Sequence, residues 1–249
     1  MIILKTQEEK KKLRESNRIV ALVLREIEAL VKPGVRTADL DKFAEELILK
    51  EGATPTFKGY NGFPASLCIS VDEEIVHGIP SVRRLKKGEI VSIDVGATKN
   101  GYVGDGARTF QVGNVDDRAL KLMKYTEESL WKAVEKAVPG NRISDISNAV
   151  QKHVEAEGFS VIRQFVGHGI GRNMHEDPQI PNYGRPGRGP EIKKGMVFAI
   201  EPMVSEGKSC DAVVLDDGWT AVTSDGARAA HYEVSVFVEE GGAEVLTVI

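Results

Sequence analysis

Residues 88–95 (GEIVSIDV) and 102–112 (YVGDGARTFQV) flank Lys99-Asn100-Gly101, and each arm carries one aspartate, Asp94 and Asp105. Asn-Gly is the strongest short hairpin signal, because both central turn residues need positive φ. With Asn100-Gly101 as the turn, Asp94 faces Ala107 and lies diagonal to Asp105. The diagonal sets both carboxylates on one face, with Cβ atoms about 7–8 Å apart. Two like charges on a packed face need a proton or a cation between them, while an Asp near a turn can equally face solvent. His168 sits among glycines in GHGIG (167–171), and His175 follows in NMHEDP (173–178). Flanking glycines leave an imidazole accessible, although a single His is as commonly a surface or core residue. Glu201 interrupts the apolar run 198–204 (FAIEPMV), where burial is costly without a cation; Glu233 repeats the arrangement in HYEVSV (231–236), where a solvent-facing position is equally open. His77 is likewise polar inside IVHGIP (75–80).

Together these groups form a hard, oxygen-rich donor set with one nitrogen. Such a set suits Mn, Fe(II), Co or Zn rather than copper or an iron–sulfur cluster. Two divalent ions can share bridging carboxylates and activate one water, whose pKa falls toward about 7.

The elements that must carry these residues are readable from periodicity. Residues 7–31 place Leu13, Val20, Leu24, Ile27 and Leu30 at helical spacing, and Pro33-Gly34 ends that helix. Thr37 reads as the N-cap of a second helix running to Gly52. A second long helix spans 116–137, with Leu120, Met123, Leu130 and Ala133 on its apolar face. Residues 31–52 align without gaps on 137–158, with shared residues at Pro33/Pro139, Gly34/Gly140, Arg36/Arg142, Asp39/Asp145, Glu51/Glu157 and Gly52/Gly158. The period is too long for a solenoid and fits two related halves. Residues 196–204, 211–215 and 231–239 read as strands, and 184–195 as a surface loop. Helix pairs with antiparallel hairpins make an α+β chain, helices covering one face of a curved sheet. No linker divides it, so residues 1–249 read as a single domain with pseudo-repeat halves near 1–115 and 116–249.

Composition excludes several classes. The 249 residues are 41% hydrophobic and 28% charged, with net charge -4, which argues against dedicated nucleic-acid or anionic-membrane binding. No run reaches the roughly 18 apolar residues of a membrane span, and the N-terminus lacks the apolar region of a secretory signal. Cys68 and Cys210 stand in no metal or redox spacing, consistent with free thiols in a reducing cytoplasm.

The motifs SLCISVDEEIVHGIP (66–80), SIDVGATKNGYVGDGARTF (92–110), FVGHGIGRNMHEDP (165–178), AIEPMV (199–204) and HYE (231–233) resemble, in this order, the bacterial, unextended type I methionine aminopeptidases. The resemblance covers essentially the whole chain. It implies the pita-bread fold, two pseudo-symmetric αβ halves enclosing two divalent ions. It assigns Asp94, Asp105, His168, Glu201 and Glu233 as metal ligands, with Asp105 and Glu233 bridging. Glu201 would also move a proton from the bridging water, and metal-bridging hydroxide would attack the scissile carbonyl. His175 would hydrogen-bond the substrate carbonyl oxygen, and His77 the amide nitrogen. Tyr60, Phe63, Cys68 and Trp219 match positions lining a methionine side-chain pocket. The implied substrates are N-terminal Met peptides and nascent chains with a small second residue. The implied setting is the cytoplasm, as a monomer in transient contact with the ribosome.

Four positions depart from the pattern. Met174 replaces a usual aromatic, His231 a usual Gln, and Val234-Ser235 a usual His-Thr; His231 and Glu233 are expected on one strand face. Prolidase-like, proline-directed peptidases resemble the same arrangement but carry an added N-terminal domain. Non-catalytic modules of this fold typically lose ligands that this chain keeps. Lys10-Lys11-Lys12 and Arg83-Arg84 with Lys86-Lys87 read as solvated faces, Cys210 as a small packed residue and His153 as surface.

Overall fold

The computed structural model describes residues 1–248. Its helices are α1 (Gln7–Glu28), α2 (Thr37–Lys50), α3 (Asp117–Val134) and α4 (Ile143–Ala156). Its strands are β1 (Thr54–Pro55), β2 (Leu67–Val71), β3 (Glu74–Val76), β4 (Ile90–Lys99), β5 (Tyr102–Gln111), β6 (Ser160–Val161), β7 (Gly167–Gly169), β8 (Glu176–Ile180), β9 (Val197–Ile200), β10 (Met203–Ser205), β11 (Ala212–Val214), β12 (Ala221–Thr223), β13 (Ala229–His231), β14 (Glu233–Glu239) and β15 (Gly242–Val245).

Local chemistry sets the helix ends. Thr6 and Glu9 form a reciprocal capping box that starts α1: Thr6 Oγ1 accepts from the Glu9 N–H at 3.2 Å, and Glu9 Oε2 from the Thr6 N–H at 2.8 Å. The helix stops at Glu28, short of the expected residue 31, so Leu30 falls outside its apolar stripe and is exposed. Thr37 is not the cap of α2; Arg36 is. The Thr37 hydroxyl instead accepts from the Ser81 N–H at 2.8 Å and donates to the Ser81 carbonyl at 3.1 Å. Asp116 caps α3 by accepting from the Ala119 N–H at 2.9 Å. That register turns Leu120 to solvent rather than to the core.

The sheets are antiparallel. The large one runs β1-β4-β5-β14-β9-β7-β8, with β2 also on β4 and β15 also on β14. Two three-stranded sheets, β13-β10-β6 and β11-β12-β3, complete it. The hairpin has the expected register, Asp94 opposite Ala107 and Gly96 opposite Asp105, closed by Asn100 and Gly101 at φ 53° and 76°. Helices α1 and α2 bury Ile19, Val20, Leu24, Ile27 and Leu40 against Val91, Ile93 and Val95 of β4. Helices α3 and α4 bury Leu122, Leu130, Ile146 and Val150 against Phe198, Ile200 and Val236. Each such side chain contributes about 1.5–3 kcal/mol on burial. Alternation along β4 then leaves Asp94 on the face away from the helices.

Residues 196–204 do not form one strand. The run breaks at Glu201-Pro202 into β9 of the large sheet and β10 of a small one, because proline donates no ladder hydrogen bond. The facing run breaks at Tyr232, so His231 ends β13 and Glu233 begins β14, on different strands rather than one face. The register passes unchanged through the break. Ile200 faces Val234, Met203 faces His231, and the Tyr232 N–H donates to the Pro202 carbonyl at 3.3 Å. Glu201 and Glu233 therefore lie opposite each other where the ribbon leaves the large sheet.

Three further residues differ from expectation. Lys10 is buried and paired with Glu239 and Glu244, whereas Lys11 and Lys12 are exposed. His153 and Cys210 are half-buried, the former 3.0 Å from Glu128. No described helix is long and apolar enough to cross a membrane.

Candidate metal centre and substrate pocket

Five successive strands of the large sheet each bring one group to the same place. In spatial order these are Asp94 on β4, Asp105 on β5, Glu233 on β14, Glu201 directly after β9, and His168 on β7. Asp105, His168 and Glu233 each present one donor atom within 4.8 Å of the other two. His168 Nε2 is 3.7 Å from Asp105 Oδ2 and 3.5 Å from Glu201 Oε1. The ring orientation is fixed from behind, since His168 Nδ1–H donates to the Gly169 carbonyl at 2.9 Å. The Nε2 lone pair therefore points at the acids.

The cluster is electrostatically unfinished. Burial pushes the carboxyls of Asp94, Glu201 and Glu233 well above the usual range, mutual repulsion adds to this, and burial raises Asp105 to about 7. Burial, then the nearby His175, pulls His168 down to about 4. Asp94 Oδ1 and Glu233 Oε1 are buried without any hydrogen-bond partner. Acceptors orphaned in this way, beside a histidine lone pair, lack positive charge. The residues fit divalent metal: four carboxylates and one imidazole are a hard donor set, and no lysine or arginine lines the cavity among the described residues.

The cavity has a volume of about 200 Å³. All eleven residues singled out from the sequence line it: Tyr60, Phe63, Cys68, His77, Asp94, Asp105, His168, His175, Glu201, Trp219 and Glu233. Phe63 and Trp219 meet edge to face at 5.1 Å, and Trp219 also abuts His77 at 6.4 Å. His77 follows β3 with φ 61°, a left-handed conformation that turns its ring off the strand path. Gly78 has no room for a Cβ, which would meet the Ile69 carbonyl oxygen at 2.2 Å. His175 Nδ1 lies 2.8 Å from the Tyr60 hydroxyl. Burial pulls His77 and His175 below the ordinary histidine range. Cys68, directly opposite Asp94, has its thiol pushed well up by burial and the adjacent acids.

Sequence reasoning missed Phe57 and Asn61, which also line the cavity with Met174. Gly96 was the available signal for Phe57: a Cβ there would meet its ring at 2.6 Å. A second missed signal is the match of KKGEIVSID (86–94) with KKGMVFAIE (193–201), which makes Glu201 the counterpart of Asp94.

Comparison with known proteins agrees with this geometry. The model of metallopeptidase family M24 matches residues 11–240. The methionine aminopeptidase of Clostridium perfringens is 55% identical over 249 residues, covering 100% of both chains. The crystal structure of methionine aminopeptidase from Thermotoga maritima superposes with a TM-score of 0.98 at 48% identity, again over 100% of both chains. Prolidase from Pyrococcus furiosus shares the fold at a TM-score of 0.80 and 25% identity, with 99% of this chain covering 66% of that one. The chain belongs to the methionine aminopeptidases of metallopeptidase family M24 and has their pita-bread fold.

Proposed function

We propose that the protein removes the initiator methionine from nascent polypeptides with a small second residue, using two divalent ions. The observation that carries this reading is the convergence of four carboxyls, two of them with buried oxygens that lack any partner, and one histidine lone pair beside a small, partly aromatic pocket. Asp94, Asp105, His168, Glu201 and Glu233 would hold the ions, Asp105 and Glu233 as bridges. The ions, Co, Mn, Fe(II) or Zn by donor chemistry, would supply an activated water and polarise the scissile carbonyl.

The chain's own residues do the rest. Glu201, with one oxygen toward His168, takes a proton and returns it to the leaving amine. When Tyr60 donates to His175 Nδ1, that ring carries its proton on Nε2 and donates it to the forming oxyanion. His77, held against Trp219, reaches the substrate amide nitrogen. Tyr60, Phe63, Cys68 and Trp219 enclose the methionine side chain, whose flexible thioether suits an irregular apolar wall. This reading takes residues 1–249 as one peptidase domain with halves near 1–115 and 116–249. It places the protein in the cytoplasm as a monomer in transient ribosome contact, without membrane attachment or nucleic-acid specificity.

Incubation of metal-loaded protein with Met-Ala-Ser and Met-Leu-Ser tests the assignment. Methionine should be released from the first far faster than from the second. No release from Met-Ala-Ser overturns it, and preferential cleavage of Xaa-Pro peptides assigns a prolidase-like activity instead.

A further inference from the structure

Glu201 lies between two imidazoles. Its Oε1 is 3.5 Å from His168 Nε2, and its Oε2 is 3.6 Å from His231 Nε2. The two rings differ in what their far sides do and in what they lack. His168 is anchored through Nδ1 to the Gly169 carbonyl, so it offers a lone pair. His231 is 1% exposed, and its Nε2 is buried with no hydrogen-bond partner. An orphaned ring nitrogen in the interior is costly, and a carboxyl oxygen within a few tenths of an ångström of bonding distance is the partner it lacks.

We propose that His231 is a positioning residue for Glu201: its Nε2–H donates to Glu201 Oε2 and keeps Oε1 turned toward His168. This rests on the metal-centre reading above. The backbone makes His231 a rigid post. Its N–H donates to Thr109 Oγ1 at 2.9 Å, and its carbonyl accepts from the same hydroxyl at 2.8 Å. Across the small sheet it faces Met203, two residues beyond Glu201. The Glu201 backbone is held as well, since its carbonyl accepts from Asn182 Nδ2 at 2.9 Å. With both main chains fixed, the remaining freedom is rotation of the Glu201 carboxylate. A charge-assisted bond to one oxygen removes that rotation and leaves the other free as a donor to metal. Outer partners of this kind typically account for about 10–100-fold in metal affinity.

The test compares metal-free wild type, His231→Gln and His231→Leu by calorimetric titration with Co(II), alongside the visible Co(II) spectrum. Glutamine keeps an N–H donor and leucine does not. The leucine variant should bind Co(II) about 10–100-fold more weakly with an altered visible band, and the glutamine variant should retain most of the affinity and the wild-type band. Wild-type binding by His231→Leu overturns the proposal. Equal loss in both variants also overturns it, in favour of His231 as a ligand in its own right. Failure of wild type to bind Co(II) instead overturns the metal centre itself. If the leucine variant does not fold, a long-range proton–nitrogen spectrum of Zn-loaded, histidine-labelled wild type decides. The Nε2–H tautomer at His231, assigned with His231→Gln, supports the proposal, and an Nδ1–H tautomer overturns it.

Discussion

Residues 33–52 and 139–158 hang on the rest of the chain by the same hydrogen bonds, but the strands that follow them behave differently. The Gly34 N–H donates to Leu85 and the Gly140 N–H to Ile192; Thr37 donates to Arg83 and Ile143 to Pro190. Arg36 and Arg142 even form matching bridges, to Arg84 and Glu191. In the first half, β4 and β5 then run ten residues each without interruption and carry Asp94 and Asp105. In the second half, both arms break at Glu201-Pro202 and Tyr232. The shared framework delivers two acids from each side. The break makes the second side different: it brings His231 beside Glu201, and the second half alone contributes a histidine to the cluster.

The sharpest challenge to this comparison pairs the counterparts Asp94→Asn and Glu201→Gln. Both remove a carboxylate, but only the second removes the proposed proton carrier. At saturating metal, kcat of Glu201→Gln should fall about 10²–10⁴-fold below that of Asp94→Asn. Equal losses would make the two acids equivalent.

The clustering of acids from both halves has a pH signature in chelated protein. The folded-state values of Asp94, Asp105, Glu201 and Glu233 are raised, so the folded chain binds more protons than the unfolded one above about pH 4. That contribution is lost as pH rises, through about 7 for Asp105. His168 and His231 are depressed to about 4 and about 3, so their opposing contribution is complete above roughly pH 6.5. Metal-free protein should therefore lose Tm steadily from pH 6.5 to 8.5, and metal-loaded protein should not. A flat metal-free profile would mean that the acids are not coupled by burial.

The loop bearing His175 is held by a buried ion pair, Lys5 Nζ to Glu176 Oε2 at 2.6 Å, with side chains 3% and 7% exposed. Breaking it with Lys5→Met should cost about 3–5 kcal/mol in urea unfolding. The double change Lys5→Met/Glu176→Met should recover much of that, because no unpaired charge remains. A smaller effect separates the two helix junctions. Thr37 binds Ser81 through its hydroxyl, where its counterpart Ile143 is apolar and sits in the core. Thr37→Val should cost about 0.5–1.5 kcal/mol by taking the acceptor from the Ser81 N–H, while the Ser81 carbonyl keeps the Ala38 N–H. A neutral result would show that the two junctions are interchangeable.

Which features could be read in advance follows the range of the forces involved. Asn100-Gly101 sets a turn by local sterics, so the pairing of Asp94 with Ala107 followed from two residues. The cause of the break at Glu201-Pro202, proline's missing donor, was equally local, although 196–204 reads by composition as a single strand. Its consequence was not: that β9 and β10 enter different sheets depends on which strand is available to pair. Thr37 has the residue type of a cap, but the Ser81 backbone, 44 positions away, takes its hydroxyl. Leu120 and Leu30 fit a helical period and still face water, because helix rotation and end point are set by packing. Lys10 lies in a basic run, yet Glu239 and Glu244 from the far end of the chain draw it inside.

The unchanged register on either side of the break has an evolutionary corollary. Inserting one residue in either arm would flip its side chains to the other face and take a carboxylate out of the centre. Between the arms, the turns of the excursion at 206–228 that lie outside β11 and β12 are under no such constraint, and one of them carries Trp219, a wall of the pocket. Insertions and deletions there can reshape what the pocket accepts while leaving the acids untouched, so preference and reactivity can diverge independently in descendants of this chain.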